Sequence, residues 1–340
     1  MRNLFRFKVY IASSSTRGEY FIFSSTFRRK LCTINSFGGD TFGQIQGAVL
    51  KSPKTAEYTL AHISNLLRGV NSSSLTENLG LESKIFNHLN QYFTGETGIA
   101  IACEIFKALV VSTESVSSTC YMRFASCFIG THNSSHLLNI ARNMEEELPI
   151  ARARVALNRI MLAFGKSRQV ETAMELFSWM KSCTLKPDLV TYNIVLEIMG
   201  SAGNVNVMMN EFESMESVGI LADFISFNTV LNGFRKAGRL NLCLEYYNKM
   251  VERGIEPDLL TFTALIASLG RSGNVEEALR LFNDMKGRGI PPSFYVYRSL
   301  ITDLKKMGRI DLASAMEDML KSDLFNLARP CHFKRKYNNS

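Results

Sequence analysis

Four basic residues fall in step through the second half of this chain. Lys166, Lys236, Arg271 and Lys306 share one place in a 35-residue period, with Ser201 filling the remaining position. The surrounding stretch, residues 154–329, carries 21 Lys/Arg against 20 Asp/Glu, so the stripe is a local arrangement and not bulk basicity. A periodic row of cations on one face is what a bound phosphate backbone needs. The same residues close segments of helical spacing, where a cation also satisfies the negative end of a helix dipole. Both readings stand at this point.

Other chemistries lack their residues. Zinc deamination needs H-x-E with a distant C-x-x-C. None of His62, His88, His132, His136 and His332 has Glu two residues on, and the cysteines at 32, 103, 120, 127, 183, 243 and 331 form no C-x-x-C pair. His132 and His136 lie four apart near Cys127, but the intervening Asn-Ser-Ser reads as a turn, not as one face of a metal-binding helix. No phosphate-cradling G-x-x-x-x-G-K-[ST] appears. The acidic run Glu145-Glu-Glu147 reads as the end of a solvated helix. The expectation is a protein that is not an enzyme and needs no cofactor and no metal. An odd, scattered set of seven cysteines argues against a disulfide scaffold and fits a reducing compartment. The most apolar run, residues 98–111, is interrupted by Glu104 and Lys107, so it reads as a buried helix and no membrane insertion is expected.

The net charge of +8 sits mostly at the ends of the 340 residues. Residues 1–38 hold Arg2, Arg6, Lys8, Arg17, Arg28, Arg29 and Lys30 against the single acid Glu19, among serines and apolar residues. An Arg-rich, Ser-rich, acid-poor leader is the composition of an organelle transit peptide. Dense arginine places the expectation at the mitochondrion ahead of the plastid, with cleavage after the Arg28-Arg29-Lys30 cluster; the alternative is a basic arm that touches RNA phosphates. Residues 39–82 read as a linker or degenerate helical cap, and 329–340, with Lys334-Arg335-Lys336, as a solvated basic tail.

What positions the periodic cations is a repeat. Leu189-Val-Thr-Tyr-Asn193, Phe224-Ile-Ser-Phe-Asn228, Leu259-Leu-Thr-Phe-Thr263 and Phe294-Tyr-Val-Tyr-Arg298 each open 35 residues after the last, and one step back reaches Arg154-Val-Ala-Leu-Asn158. Met180, Met215, Met250 and Met285 keep the step, as do Phe177, Phe212, Tyr247 and Phe282. Five units follow: 154–188, 189–223, 224–258, 259–293 and 294–328. Two imprecise units, about 83–117 and 118–153, precede them, as expected of an array whose ends must cover an open apolar face. Each clear unit reads as two amphipathic helices. Glycine marks the turn between them at 203, 238, 273 and 308, while Arg168 holds that place in the first unit, so a differently built turn is expected there. Two short helices cannot bury their faces alone, so the units must stack into an all-α solenoid.

A 34-residue period with a Trp/Leu-Gly/Tyr pattern would mean tetratricopeptide units. Here the period is 35, and Thr229-Val-Leu-Asn-Gly-Phe-Arg-Lys-Ala-Gly238 and Met250-Val-Glu-Arg-Gly-Ile-Glu-Pro-Asp258 closely resemble the pentatricopeptide-repeat family. Uniform unit length looks like its pure-repeat, P-type subgroup. The resemblance implies a right-handed superhelix that binds single-stranded organellar RNA, one base per unit. It implies base-reading pairs at Asn158 with Asp188, Asn193 with Asp223, Asn228 with Asp258 and Thr263 with Ser293; Arg298 with Ala328 departs from the pattern. By the same resemblance Asn with Asp favours uracil and Thr with a small polar partner favours adenine, giving a 5′-U-U-U-A-3′ core. The second residue of each unit would sandwich the base: Val155, Val190, Ile225, Leu260 and Tyr295. Lys166, Lys236, Arg271 and Lys306 would contact phosphates. Against this, the aliphatic residues could be core, and the Asn and Asp residues helix caps. The roles implied are transcript stability, processing, splicing or translation, with a protein partner supplying catalysis or extra specificity. The alternative is a helical-repeat protein–protein scaffold, for instance on a mitochondrial ribosome.

Overall fold

Aspartate or serine, then a turn of apolar and hydroxyl residues, starts a helix in four consecutive units. Asp188, Asp223, Asp258 and Ser293 are extended N-caps whose side chains accept from the backbone N–H three residues on. Each satisfies an amide that the helix leaves without a partner, worth about 1 kcal/mol. The computed structural model describes residues 116–130, 134–323 and 326–328, with parts of 99–111. The leader 1–38, the segment 39–82, most of 83–117, His132 and the tail 329–340 lie outside the described residues.

Among the described residues every regular element is helical. α1 (Ser118–Ser126) and α2 (Ser135–Glu147) precede five pairs: α3 (Ile150–Lys166) with α4 (Val170–Ser182), α5 (Leu189–Ala202) with α6 (Val205–Ser217), α7 (Phe224–Lys236) with α8 (Leu240–Glu252), α9 (Leu259–Arg271) with α10 (Val275–Gly287), and α11 (Phe294–Lys306) with α12 (Ile310–Ser322). The first helix of each pair packs on its own second helix and on the first helix of the next pair. α1 packs on α3, and α2 on α3 and α4. The first helices therefore form one layer and the second helices another, a stacked α-solenoid.

The residues that keep the 35-residue step are the ones that close the core. Met180, Met215, Met250 and Met285 are fully buried. Phe177, Phe212, Tyr247 and Phe282 each meet the fourth residue of the following unit edge-on: Tyr192, Phe227, Phe262 and Tyr297, at centroid distances of 5.4, 5.4, 5.7 and 5.1 Å. An aromatic pair of this geometry adds about 0.5–1.5 kcal/mol beyond the area it buries. The same contact recurs at four junctions.

The turn at Arg168 is not built differently. Gly203, Gly238, Gly273 and Gly308 have φ between 70 and 86°, and Arg168 adopts φ 61° in the same place. The closing hydrogen bond is also the same, Gln169 N–H to Phe164 O at 2.9 Å and Arg239 N–H to Phe234 O at 2.9 Å. The packing of α3 against α4 fixes the connection, and Arg168 takes the left-handed conformation at a local cost of about 1 kcal/mol.

A second glycine series brings neighbouring first helices together. A Cβ on Gly165 would meet Ile198 Cγ1 at 2.4 Å, one on Gly200 would meet Gly233 Cα at 3.1 Å, and one on Gly270 would meet Asp303 Oδ2 at 2.6 Å. The remaining place in this series, 35 residues after Gly200 and between α7 and α9, is held by Arg235.

Candidate functional site

The fifth residue of a unit sits at least one turn inside the unit's first helix, not at its cap. Its side chain faces the start of the next first helix. Thr191 Oγ1 lies 2.9 Å from Asn158 Oδ1 and 2.9 Å from Asp188 Oδ1. Ser226 Oγ lies 2.7 Å from Asn193 Oδ1 and 2.8 Å from Asp223 Oδ1, and Thr261 Oγ1 lies 2.6 Å from Asn228 Oδ1 and 2.7 Å from Asp258 Oδ1. Asn193 Nδ2 also donates to Asp223 at 3.4 Å, and Asn228 Nδ2 to Phe224 O at 3.1 Å. The structure thus brings three of the sequence-derived pairs together, each joined by a hydroxyl.

Those hydroxyls, Thr191, Ser226 and Thr261, are the residues that sequence reasoning missed. They recur at the 35-residue step as the third residue of each opening, so the signal was present. A hydroxyl has one proton. When it goes to the aspartate, the amide turns its nitrogen inward and presents an oxygen outward. When it goes to the asparagine, the amide nitrogen faces out. An amide held this way can meet either a donor or an acceptor on a ligand edge.

The aspartates do cap helices, as the bland reading holds, yet the cap leaves a second oxygen for other work. The second oxygen of Asp188 accepts from Arg154 Nη1 at 3.3 Å. Burial pushes the Asp188 carboxyl up, but the Thr191 hydrogen bonds and the Arg154 charge outweigh it and hold the group below its ordinary value. Leu189, Phe224, Leu259 and Phe294 stand where Arg154 does in the other units, so the ion pair belongs to the first pair alone. The fourth pair differs again. Ser293 caps Val296 N–H at 3.3 Å, Val296 brings no hydroxyl, and Thr263 Oγ1 is buried without a hydrogen-bond partner. Arg298 is exposed, and Ala328 N–H ties back to Pro292 O at 3.0 Å.

The second residue of each unit is not core. Val155, Val190, Ile225 and Tyr295 are 51, 58, 44 and 54% exposed, and Leu260 is half-buried. Exposed apolar side chains at this position in four of the five units contrast with the buried fourth residue beside the fifth. Lys166, Lys236 and Arg271 are exposed in the last turns of α3, α7 and α9; Lys306, in α11, lies 3.7 Å from Asp303. At about 100° per residue, positions 2, 5 and 13 of a helix fall within a sector of about 80°. Apolar, amide and cationic side chains therefore share one face of α3 and of α7, while Ser201 replaces the cation in α5 and Thr263 and Arg298 replace the amide in α9 and α11.

One groove of about 440 Å³ gathers these features: Ile225, Asn228 and Lys236 of α7 line it with Leu260 of α9, together with Glu197, Asn232 and Arg235. Two aliphatic side chains flank an amide here, with cations further along the same helix.

A model of the PPR repeat family matches residues 153–200, 222–271 and 260–306, and a model of the pentatricopeptide repeat domain matches 185–237. Pentatricopeptide repeat-containing protein At1g11900 of Arabidopsis thaliana is 37% identical over 148 residues, which are 43% of this chain and 39% of that protein. Among solved structures, maize pentatricopeptide repeat protein PPR10 is 19% identical with a TM-score of 0.45, over 85% of this chain and 44% of that one. The PPR domain of Arabidopsis thaliana protein-only RNase P 1 in complex with tRNA is 14% identical with a TM-score of 0.42, over 59% of this chain and 95% of that one. The chain spans about two-fifths of the length of the curated relative and of PPR10.

Proposed function

We propose that this chain, which belongs to the pentatricopeptide repeat family, binds single-stranded RNA along its layer of first helices and reads one base at each of four consecutive units. The observation that carries the reading is the groove in which Ile225 and Leu260 flank Asn228, with Lys236 beyond them. Stacking a base between two aliphatic side chains, while an amide meets its Watson–Crick edge, is a mode of single-strand recognition. A uracil edge offers both donor and acceptor, and the hydroxyl-relayed amides of Asn158, Asn193 and Asn228 can answer either. Thr263 with Ser293 takes the adenine. The core is 5′-U-U-U-A-3′, from the amino to the carboxyl end of the array. Lys166, Lys236, Arg271 and Lys306 hold the phosphates.

The acidic-poor leader sends the protein to the mitochondrion, with the plastid as second choice. It acts there by occupying a transcript, in stability, processing, splicing or translation, and a protein partner supplies any catalysis. The test is a change of code at one position. Asn193→Thr with Asp223→Asn shifts the preference of the second position from uracil to adenine and leaves the first, third and fourth unchanged, measured by competition among single-base variants. Loss of preference at every position, or no change at any, favours the protein scaffold instead. A fusion of residues 1–38 to a fluorescent protein tests the compartment.

A further inference from the structure

Arg235 stands where the other first-helix junctions have glycine. Gly165, Gly200 and Gly270 leave no room for a Cβ against the next helix. At the α7–α9 junction the place is filled by a long cationic side chain, and α7 and α9 make the sparsest contact of the four neighbouring first-helix pairs. The amino ends of the two helices nevertheless stay in register, since Thr261 Oγ1 is 2.6 Å from Asn228 Oδ1. Away from that bond the two helices pack loosely. The groove described above runs along α7, and Arg235 lines it with Asn232 and Lys236, between Gly200 and Ser201 of α5 and Ala264 and Leu265 of α9.

The guanidinium is under-used. Nη2 donates to Asn232 Oδ1 at 2.7 Å, and Nε is buried without a hydrogen-bond partner. Among the described residues no ion pair includes Arg235. One carboxylate, Glu197, lines the same groove. A buried donor without an acceptor costs about 1–3 kcal/mol, and an arginine fork is shaped for two oxygens of one phosphate.

We propose that Arg235 is both a spacer and a phosphate clamp, gripping the phosphodiester that joins the third and fourth nucleotides of the bound RNA. This rests on the RNA reading above and adds a unique linkage to it. The other junctions, closed by glycine, offer at most an end-of-helix cation: Lys166 in α3 and Arg271 in α9, with Ser201 in that place in α5. The array then holds RNA most firmly at one internal step, between the last uracil and the adenine.

The experiment is a methylphosphonate scan, which removes one backbone charge at a time. A twelve-nucleotide oligo-C strand with central U-U-U-A is bound to the full chain and followed by fluorescence anisotropy. A neutral linkage between the third uracil and the adenine weakens binding about tenfold, and one between the first two uracils about threefold. Arg235→Gln loses about tenfold on the unmodified strand and becomes indifferent to the neutral linkage at that step. Its salt slope is shallower by about 0.7. Lys236→Gln keeps the step-specific penalty. Circular dichroism confirms that both variants keep the wild-type helix content and melting transition, and Arg235→Lys, which keeps charge and bulk, retains part of the penalty. Equal sensitivity at all three linkages, with the U-U-U-A preference intact, overturns the clamp and leaves the RNA reading standing. A penalty that survives Arg235→Gln and vanishes in Lys236→Gln also overturns it. No binding to any strand removes the RNA reading and the clamp together.

Discussion

The hydroxyl of Ser226 lies 2.7 Å from Asn193 and 2.8 Å from Asp223, and it decides what the amide shows to a ligand. Removing it leaves the asparagine with only its long bond to Asp223 and the carboxylate with one bond fewer. Ser226→Ala is expected to weaken binding of uracil at the second position about fivefold to tenfold, with other positions unaffected, in single-base competition. The Asp188 carboxyl gives a pH prediction. Its folded value is held below the ordinary 3.8, so its contribution to stability is complete above that pH and is lost as pH falls through the lower folded value. Asp188→Asn should flatten the acid limb of stability below about pH 4, measured by urea unfolding. Much of this was legible: the asparagines and aspartates recur in register, and so do the hydroxyls. Arg154 against Asp188 was not, because a pair 34 residues apart depends on how two first helices lie side by side.

At the scale of helices and turns, the sequence announces glycine and the structure says which glycine matters for what. Gly203, Gly238, Gly273 and Gly308 supply left-handed turns, as their position between helical patterns implied. Arg168 takes the same conformation because the helices on either side demand it. Arg168→Gly is expected to raise stability by about 1 kcal/mol, read as a higher urea midpoint with an unchanged slope. Gly233 has another role. A Cβ there would lie 2.7 Å from Met208 Sδ and 3.1 Å from Gly200 Cα. Gly233→Ala gains about 1 kcal/mol of helix propensity and is expected to lose more than that to overpacking, for a net fall in the urea midpoint. The series Gly165, Gly200, Gly270 is visible in the sequence at the repeat step. Its meaning was not, since a mid-helix glycine shows its use only when the crossing helix is known.

For the whole molecule, the repeat period carried the fold: once five units share a step, stacking is the only way to bury their faces. The aromatic junctions from Phe177–Tyr192 to Phe282–Tyr297 are that argument in atoms. Net charge was a poor guide, because the termini hold most of it and the array is nearly neutral. What remains for binding is the placement of a few cations on the face that also carries exposed Val155, Val190, Ile225 and Tyr295. If the four stripe residues each meet one phosphate, log K falls against log salt with a slope of about −3.

The most direct test of the account is the affinity of the full chain for short single-stranded RNAs with a U-U-U-A or an A-A-A-U core, by fluorescence anisotropy at two salt concentrations. Tighter binding to U-U-U-A, weakened by salt along that slope, is the predicted result. Equal binding to both cores would contradict the base-reading pairs, and binding to neither would contradict RNA recognition itself.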